Sequence, residues 1–156
     1  MSHCVTHAGA PIPDPGATKL FLNLQAGRLQ SLELSWVHEL NAELSFSLRV
    51  PGAEYTQLWS NLGGSSGNGS IKLADGYPPI TSFDLEQGLL GPFGAEGGGG
   101  IVAGGLFSIV PSGSWELAVT DAVAGNAGSI SSYSVCLIII PPSPPPSPLP
   151  PTPASP

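Results

Sequence analysis

The chain has 156 residues, a length that suits one domain and is too short for two domains of ordinary size. Its four basic and eleven acidic side chains give a formal net charge of −7, which excludes the clustered Lys and Arg that bind nucleic acid or anionic membranes. Only 10% of the residues are charged, so Ser, Thr, Gly or attached glycans must provide solubility, a composition that favours an extracellular protein. The longest apolar run, residues 135–140, is far shorter than the about 20 residues of a membrane-spanning helix, and we expect no membrane insertion.

Proline divides the chain into a body and a tail. Ten of the 18 prolines fall within residues 141–156, so the preceding residues have an ordinary proline content. We expect an N-terminal arm over residues 1–17, a β-sandwich domain over residues 18–140 and a Pro/Ser-rich tail over residues 141–156. The first residues lack the basic and apolar segments of a secretion signal, so either no cleaved signal is used or the numbering begins after one.

Apolar and polar residues alternate with a period of two along the body, which is typical of half-buried β-strands. The clearest alternation covers residues 44–50, 115–120 and 133–139. Shorter candidate strands are residues 20–24, 55–59, 70–73, 80–83 and 105–110. Turns rich in glycine and proline separate the candidates, and the pattern predicts about seven to nine strands in an antiparallel β-sandwich or jelly roll.

Residues 29–44 satisfy two periodicities at once. The apolar positions with helical spacing are Leu29, Leu32, Trp36, Leu40 and Leu44. The Leu, Glu and Ala of this segment are good helix formers. Leu32, Leu34 and Trp36, however, also alternate with Glu33 and Ser35, and we predict two strands here.

The body contains no convincing catalytic pattern. Residues 63–67 match Gly-x-Ser-x-Gly, but a nucleophile in this motif needs a strand-to-helix turn. Another predicted strand follows, so we interpret the segment as a flexible hairpin loop. Gly97–Gly100 is followed by no Lys-Ser/Thr pair, which favours a wide, flexible loop over a phosphate-binding one. We predict no enzymatic activity and no cofactor.

Candidate metal ligands are few. His3, Cys4 and His7 offer three ligands for a soft metal at the terminus, but such a group more often arises by chance. The acids form no Asp-x-Asp-x-Asp-Gly pattern. Four of them are predicted to be solvated, with calcium binding as the less favoured alternative: Asp84, Glu86, Glu96 and Asp121.

Cys4 and Cys136 are the only cysteines. An even pair in an extracellular chain is usually oxidised, and we predict a disulfide between them. Two buried thiols, or a bridge between neighbouring molecules, are the alternatives. Cys136 has the opposite parity to Val135 and Leu137, so its side chain is expected to face away from the core layer that those two residues enter.

A series of short motifs runs through residues 10–140. The motifs are Ile12-Pro13-Asp14, His38, Glu43-Leu44, Val50-Pro51-Gly52, Gly113-Ser114-Trp115-Glu116-Leu117-Ala118-Val119-Thr120-Asp121, Gly125, Gly128-Ser129-Ile130 and Tyr133-Ser134-Val135. Together they resemble the P domain of subtilisin-like proprotein convertases. The resemblance implies a β jelly roll, a packed and hydrogen-bonded His38, and an accessory role beside a protease.

The chain departs from the pattern of that family at three positions. Glu43 and Asn126 stand where the family has aspartates, and Tyr133 stands where it has tryptophan. Some members of the family build calcium sites from those acids, so the resemblance implies Ca2+ only weakly for this chain.

The tail begins Pro-Pro-Ser-Pro-Pro-Pro-Ser-Pro, which favours an extended polyproline II conformation because proline fixes φ and lacks an amide hydrogen. It resembles the hydroxyproline-rich glycoproteins of plant and green-algal walls, such as extensins and pherophorins, which implies glycosylated hydroxyprolines. A plain linker or an SH3-type ligand is the alternative.

Asn68 lies in an Asn-Gly-Ser sequon. The candidate glycosylation positions are Asn68, Pro142, Ser143, Pro144, Pro145, Pro146, Ser147, Pro148 and Pro151.

These observations predict an extracellular structural or adhesive glycoprotein module, located in a cell wall, on a surface or in a filament. Its expected partners are covalent glycans and other copies of itself, with the tail as a docking arm. The apolar residues Leu137–Ile140 are expected to add to the sheet edge of a neighbour. The alternatives are a non-catalytic accessory P domain of a subtilisin-like protease and a carbohydrate-binding jelly roll.

Overall fold

A computed structural model describes residues 2–98, 100–102, 108–140 and 146–154. It contains ten strands, a five-residue helix and a 3-10 turn. The strands are β1 (Ser2–His7), β2 (Ala10–Ile12), β3 (Gly16–Leu24), β4 (Gly27–His38), β5 (Leu44–Arg49), β6 (Thr56–Ser60), β7 (Gly69–Leu73), β8 (Ile109–Val110), β9 (Gly113–Asp121) and β10 (Gly128–Ile139). The helix α1 covers Ser82–Glu86, and the 3-10 turn covers Asn41–Glu43.

The strands form two antiparallel sheets that pack as a β-sandwich. One sheet has the order β1-β10-β4-β7, with β2 paired to β10 and β8 paired to β4. The other sheet has the order β3-β9-β5-β6. Trp36 of the first sheet contacts Phe46 and Trp59 of the second, with ring centroids 5.0 and 5.5 Å apart. These three fully or almost fully buried rings fill the space between the sheets.

The alternating residues enter the core as their parity predicts. Trp115, Leu117 and Val119 of β9 are fully buried, and so are Tyr133, Val135 and Leu137 of β10. Residues 27–38 form one continuous strand, which confirms the prediction of strands rather than a helix in this region. The chain leaves the first sheet after His38 and enters the second at Leu44 through the 3-10 turn.

Two local predictions are wrong, and a third lies partly outside the described residues. Residues 80–83 lie at the start of α1 rather than in a strand, because Thr81 and Asp84 form a capping box that begins a helix. Residues 63–67 are not a hairpin loop, because they connect β6 of one sheet to β7 of the other. Of the candidate strand 105–110, only Ile109–Val110 is seen as β8, and residues 105–107 lie outside the described residues.

The termini of the body meet on strand β10. The residues predicted as an arm pair with it as β1 and β2, while β4 pairs with its other side. Leu137 and Ile138 therefore already have strand partners on both sides, and the prediction that they add to a neighbour's sheet edge is wrong. Ile140 still donates its amide hydrogen to Ala26 O at 3.3 Å, so the body extends at least to this residue.

Cys4 lies opposite Cys136 in the β1–β10 register, and the two are joined by a disulfide. Val135 and Leu137 are fully buried while Cys4 is exposed, so the bridge lies on the outer face of the sheet.

Neither α1 nor the 3-10 turn, within the described chain, has the length and apolar character to cross a membrane.

Reducing the disulfide should lower the stability of the body. The bridge spans a sequence separation of 132 residues, and the loop-entropy estimate for so long a loop is about 4–5 kcal/mol. We expect the double variant Cys4→Ala/Cys136→Ala to lose about this much in the free energy of unfolding, measured by urea denaturation. Quantitative alkylation of both cysteines in the untreated native protein would show that no bridge forms.

The stability of the folded body should fall above pH 10. Burial, and then the charge of Glu116, raise the pKa of Tyr133 well above its ordinary value. The folded protein therefore retains a proton that the unfolded chain releases near pH 10. The difference in unfolding free energy between the native protein and Tyr133→Phe should decline above pH 10 by up to about 1.4 kcal/mol per pH unit. Tyr77→Phe, on the surface, is the matched control, and a pH-independent difference would contradict the argument.

Candidate functional site

Polar side chains are buried together at one end of the sandwich. His38 ends β4, Glu43 ends the 3-10 turn, and Asp121 ends β9. The register places Asp121 opposite Leu44, and Gly128 opposite His38, so the ends of four strands converge there. We call His38, Glu43 and Asp121 the polar cluster; one ligand-capable atom from each lies within 4.8 Å of the others.

The centre of the polar cluster is a hydrogen bond between His38 and Asp121. His38 Nε2 lies 3.1 Å from Asp121 Oδ2, and both side chains are fully buried. His38 Nδ1 lies 3.1 Å from Leu40 N and 2.9 Å from Leu40 O, so it has both a donor and an acceptor within reach. Nε2–H can therefore donate to Asp121 whether the imidazole is neutral or charged. The second Asp121 oxygen, Oδ1, accepts the Val123 amide hydrogen at 3.0 Å.

Glu43 is held less completely than Asp121. Asn126 Nδ2 donates to Glu43 Oε1 at 2.9 Å, while Glu43 Oε2 is buried and has no hydrogen-bond partner among the described residues. The Glu43 carbonyl accepts the Ala122 amide hydrogen at 3.2 Å. Glu43 thus connects the turn before β5 to the loop after β9.

Neighbouring residues fix the position of the polar cluster. Trp36 Nε1 donates to Asn41 Oδ1 at 2.8 Å, which ties the buried indole to the 3-10 turn. Asn41 Nδ2 donates to the carbonyl of Asn68 at 2.8 Å. A Cβ on Gly128 would lie 2.3 Å from Val37 O and 2.7 Å from the His38 ring. Only glycine fits at position 128, because His38 packs directly against its backbone.

The polar cluster does not fit the calcium ion that the family resemblance implies. Calcium takes roughly six to eight oxygen ligands. Here an imidazole nitrogen occupies the centre, and both Asp121 oxygens already accept hydrogen bonds. Asn126 directs its NH2 group, not its oxygen, toward Glu43. Only Glu43 Oε2 is left as a ligand, and the arrangement acts as a structural hydrogen-bond network.

The prediction of four solvated acids is wrong for Asp121, which is 1% exposed. The sequence did contain a signal for this burial, because Asp121 has the same strand parity as the inward-facing residues Trp115, Leu117 and Val119. The other three acids are not fully buried. Asp84 caps α1, Glu86 is exposed, and Glu96 accepts the Ser60 amide hydrogen at 3.0 Å.

Asp75 is a buried acid that sequence reasoning missed. Its Oδ1 accepts the Ile101 amide hydrogen at 2.5 Å, and its Oδ2 lies 3.4 Å from Val102 N. It follows β7 in a Gly/Pro-rich turn, where nothing in the local sequence distinguishes a buried acid from a solvated one. It anchors residues 101–102, next to the glycine run 97–100 whose Gly99 lies outside the described residues.

The remaining candidate catalytic and metal ligands are not assembled into sites in the described structure. The Gly-x-Ser-x-Gly segment, whose serine is the exposed Ser65, leads into β7 instead of a helix. His3 and His7 lie on β1, where Cys4 is oxidised and offers no thiolate. At about 3.3 Å per residue, the Cα atoms of His3 and His7 are about 13 Å apart along β1, and no metal-ligating group among the described residues includes either histidine.

The candidate glycosylation positions are accessible where the structure describes them. Asn68 is exposed, and its Oδ1 accepts the His38 amide hydrogen at 2.9 Å. This hydrogen bond does not use Nδ2, the atom that carries an N-glycan. Pro146, Ser147, Pro148 and Pro151 are exposed and outside regular secondary structure. Pro142, Ser143, Pro144 and Pro145 lie outside the described residues.

The chain matches no protein-family model, and no curated protein matches it.

Truncating Asp121 should destabilise the body strongly. Asp121→Ala leaves the buried His38 Nε2–H and the Val123 amide without acceptors, which we expect to cost about 3–5 kcal/mol of unfolding free energy. Glu86→Ala, at an exposed acid, should change it by less than about 0.5 kcal/mol. Urea denaturation of both variants measures the difference, and equal effects would contradict the assigned role of the polar cluster.

Proposed function

We propose that the chain is an extracellular structural and adhesive glycoprotein module: a jelly roll without catalytic activity that associates with other copies through its surface and its polyproline II tail. The observation that carries this proposal is the junction at Ile140. There, a β-sandwich whose last strand is paired on both sides is followed in the sequence by the proline-rich segment. Residues 146–154 are exposed throughout, and Leu149 is 91% exposed.

The chemistry of the body supports a role that is not enzymatic. His38, the histidine best placed for acid-base work, is fully buried and hydrogen-bonded to Asp121, so no substrate reaches it. The cross-strand disulfide supports an oxidising, extracellular location. The exposed Asn68 and tail prolines support covalent glycans as partners, in keeping with the resemblance to wall glycoproteins.

A carbohydrate-binding jelly roll is the second candidate, and one surface favours it. Phe21 is 54% exposed and Tyr55 39% exposed. Lys19 and Arg49 lie 5.9 and 5.7 Å from the centre of the Tyr55 ring. Exposed aromatic rings beside hydrogen-bonding side chains are a common way to hold sugars. Binding of the native protein to a glycan array that Tyr55→Ala abolishes would favour this function.

Removing the tail should weaken association. We compare the full chain, natively glycosylated, with a chain truncated after Ile140, a cut that leaves the disulfide and every strand intact. Light scattering should show assemblies of the full chain that grow with concentration, and smaller ones for the truncated chain. If both stay monomeric and neither forms filaments, the proposed function is wrong.

A further inference from the structure

We propose that two copies of the chain pair through the edge of β1, which joins their six-stranded sheets into one continuous sheet. The inference rests on the proposed function, since it names the surface through which copies associate. It follows from a comparison of the sheet edges in the described chain. An unpaired edge exposes backbone donors and acceptors that a second strand can use.

The edges at β7 and β6 are covered. Lys72 of β7 donates its amide hydrogen to Leu90 O at 2.7 Å and accepts from Phe93 N at 3.0 Å. On β6, Leu58 O accepts the Glu96 amide hydrogen at 2.7 Å, and the Ser60 amide hydrogen is taken by the Glu96 side chain at 3.0 Å. At these central positions, neither strand has its backbone free for a partner.

The β3 edge carries a charge that opposes pairing, whereas the β1 edge does not. Lys19 is exposed on β3, and a lysine on an edge strand disfavours addition of another strand. Residues 2–7 of β1 include no proline and no Asp, Glu, Lys or Arg. Their partner β10 is also uncharged over residues 128–139. In a chain of net charge −7, β1 is a place where two copies meet without opposing carboxylates.

The register shows which β1 backbone groups face outward. Cys4 and Cys136 have Cα atoms 4.0 Å apart, the short spacing of a non-hydrogen-bonded antiparallel pair. Cys4, and with it Ser2 and Thr6, therefore directs its N–H and C=O away from β10. These three residues form the open hydrogen-bonding edge of the sheet within the described chain.

The open edge is complementary to itself. An antiparallel pair of β1 strands centred on Cys4 places Ser2 of one copy opposite Thr6 of the other, so the outward groups of all three residues find partners. The contact is isologous and closes as a two-fold dimer. Because Ile138 lies opposite Ser2, the C-terminal ends of the two β10 strands lie at opposite ends of the shared pair of β1 strands.

Thr6→Pro tests the edge with little effect on the monomer. The substitution removes an outward amide hydrogen that β10 does not use, a position where edge strands tolerate proline. It also removes the hydrogen bond between the Thr6 and Ser134 hydroxyls. Thr6→Val loses that same hydroxyl contact but keeps the amide hydrogen, which makes it the matched control. Thermal unfolding of both full-length variants checks that they fold.

Sedimentation velocity of the full chain over a concentration series measures the dimer. We expect the native chain and Thr6→Val to dimerise with similar Kd, and Thr6→Pro to bind at least about tenfold more weakly, because two inter-copy hydrogen bonds are lost by symmetry. If the native chain assembles and Thr6→Pro assembles equally well, copies do not pair through the β1 edge, but the proposed function stands. If the native chain stays monomeric up to about 1 mM, both are wrong.

Hydrogen exchange of the native chain gives a second test that does not depend on the variant folding. The amides of Cys4 and Thr6 should exchange more slowly at high protein concentration than at low, while those of His3 and Val5, which face β10, should not change. Concentration-independent exchange of Cys4 and Thr6 in samples that contain dimers would overturn the proposal.

Discussion

The placement of β10 inside the six-stranded sheet determines much of the rest of the structure. This strand is paired with β4 on one side and with β1 and β2 on the other, so it brings both ends of the body to one place. Its alternating side chains put Tyr133, Val135 and Leu137 into the core and leave Cys136 on the outer face, opposite Cys4. The position of the disulfide and the open edge at β1 both follow from this pairing.

The polar cluster joins the two sheets by hydrogen bonds at one end of the sandwich. The chain crosses from β4 to β5 and from β9 to β10 at this end, and a crossing between sheets leaves backbone and side-chain polar groups that must be satisfied. His38 and Asp121 satisfy one another across the two sheets. A hydrogen-bonded imidazole thus takes the central position that a cation would need.

Period-two patterning predicted the sandwich and most of its strands, because inward parity is set by the covalent geometry of the strand itself. It failed at residues 80–83, where the local capping contacts of Thr81 and Asp84 outweighed a short apolar pattern. It also missed the burial of Asp75, because the backbone amides that this acid accepts, those of Ile101 and Val102, lie far along the chain. The pairing order could not be predicted either, because nothing in residues 137–140 indicated that β1 would pair with Leu137 and Ile138.

We propose that the disulfide-bonded body provides a stable fold and that a glycosylated tail provides contact with other copies. Intact mass spectrometry of the native protein distinguishes this arrangement from an unmodified chain. We expect excess mass in repeated pentose units on a peptide containing residues 141–156, and an oxidised Cys4–Cys136 pair in the same molecule. An unmodified tail peptide, in native material with free thiols at both cysteines, would contradict it.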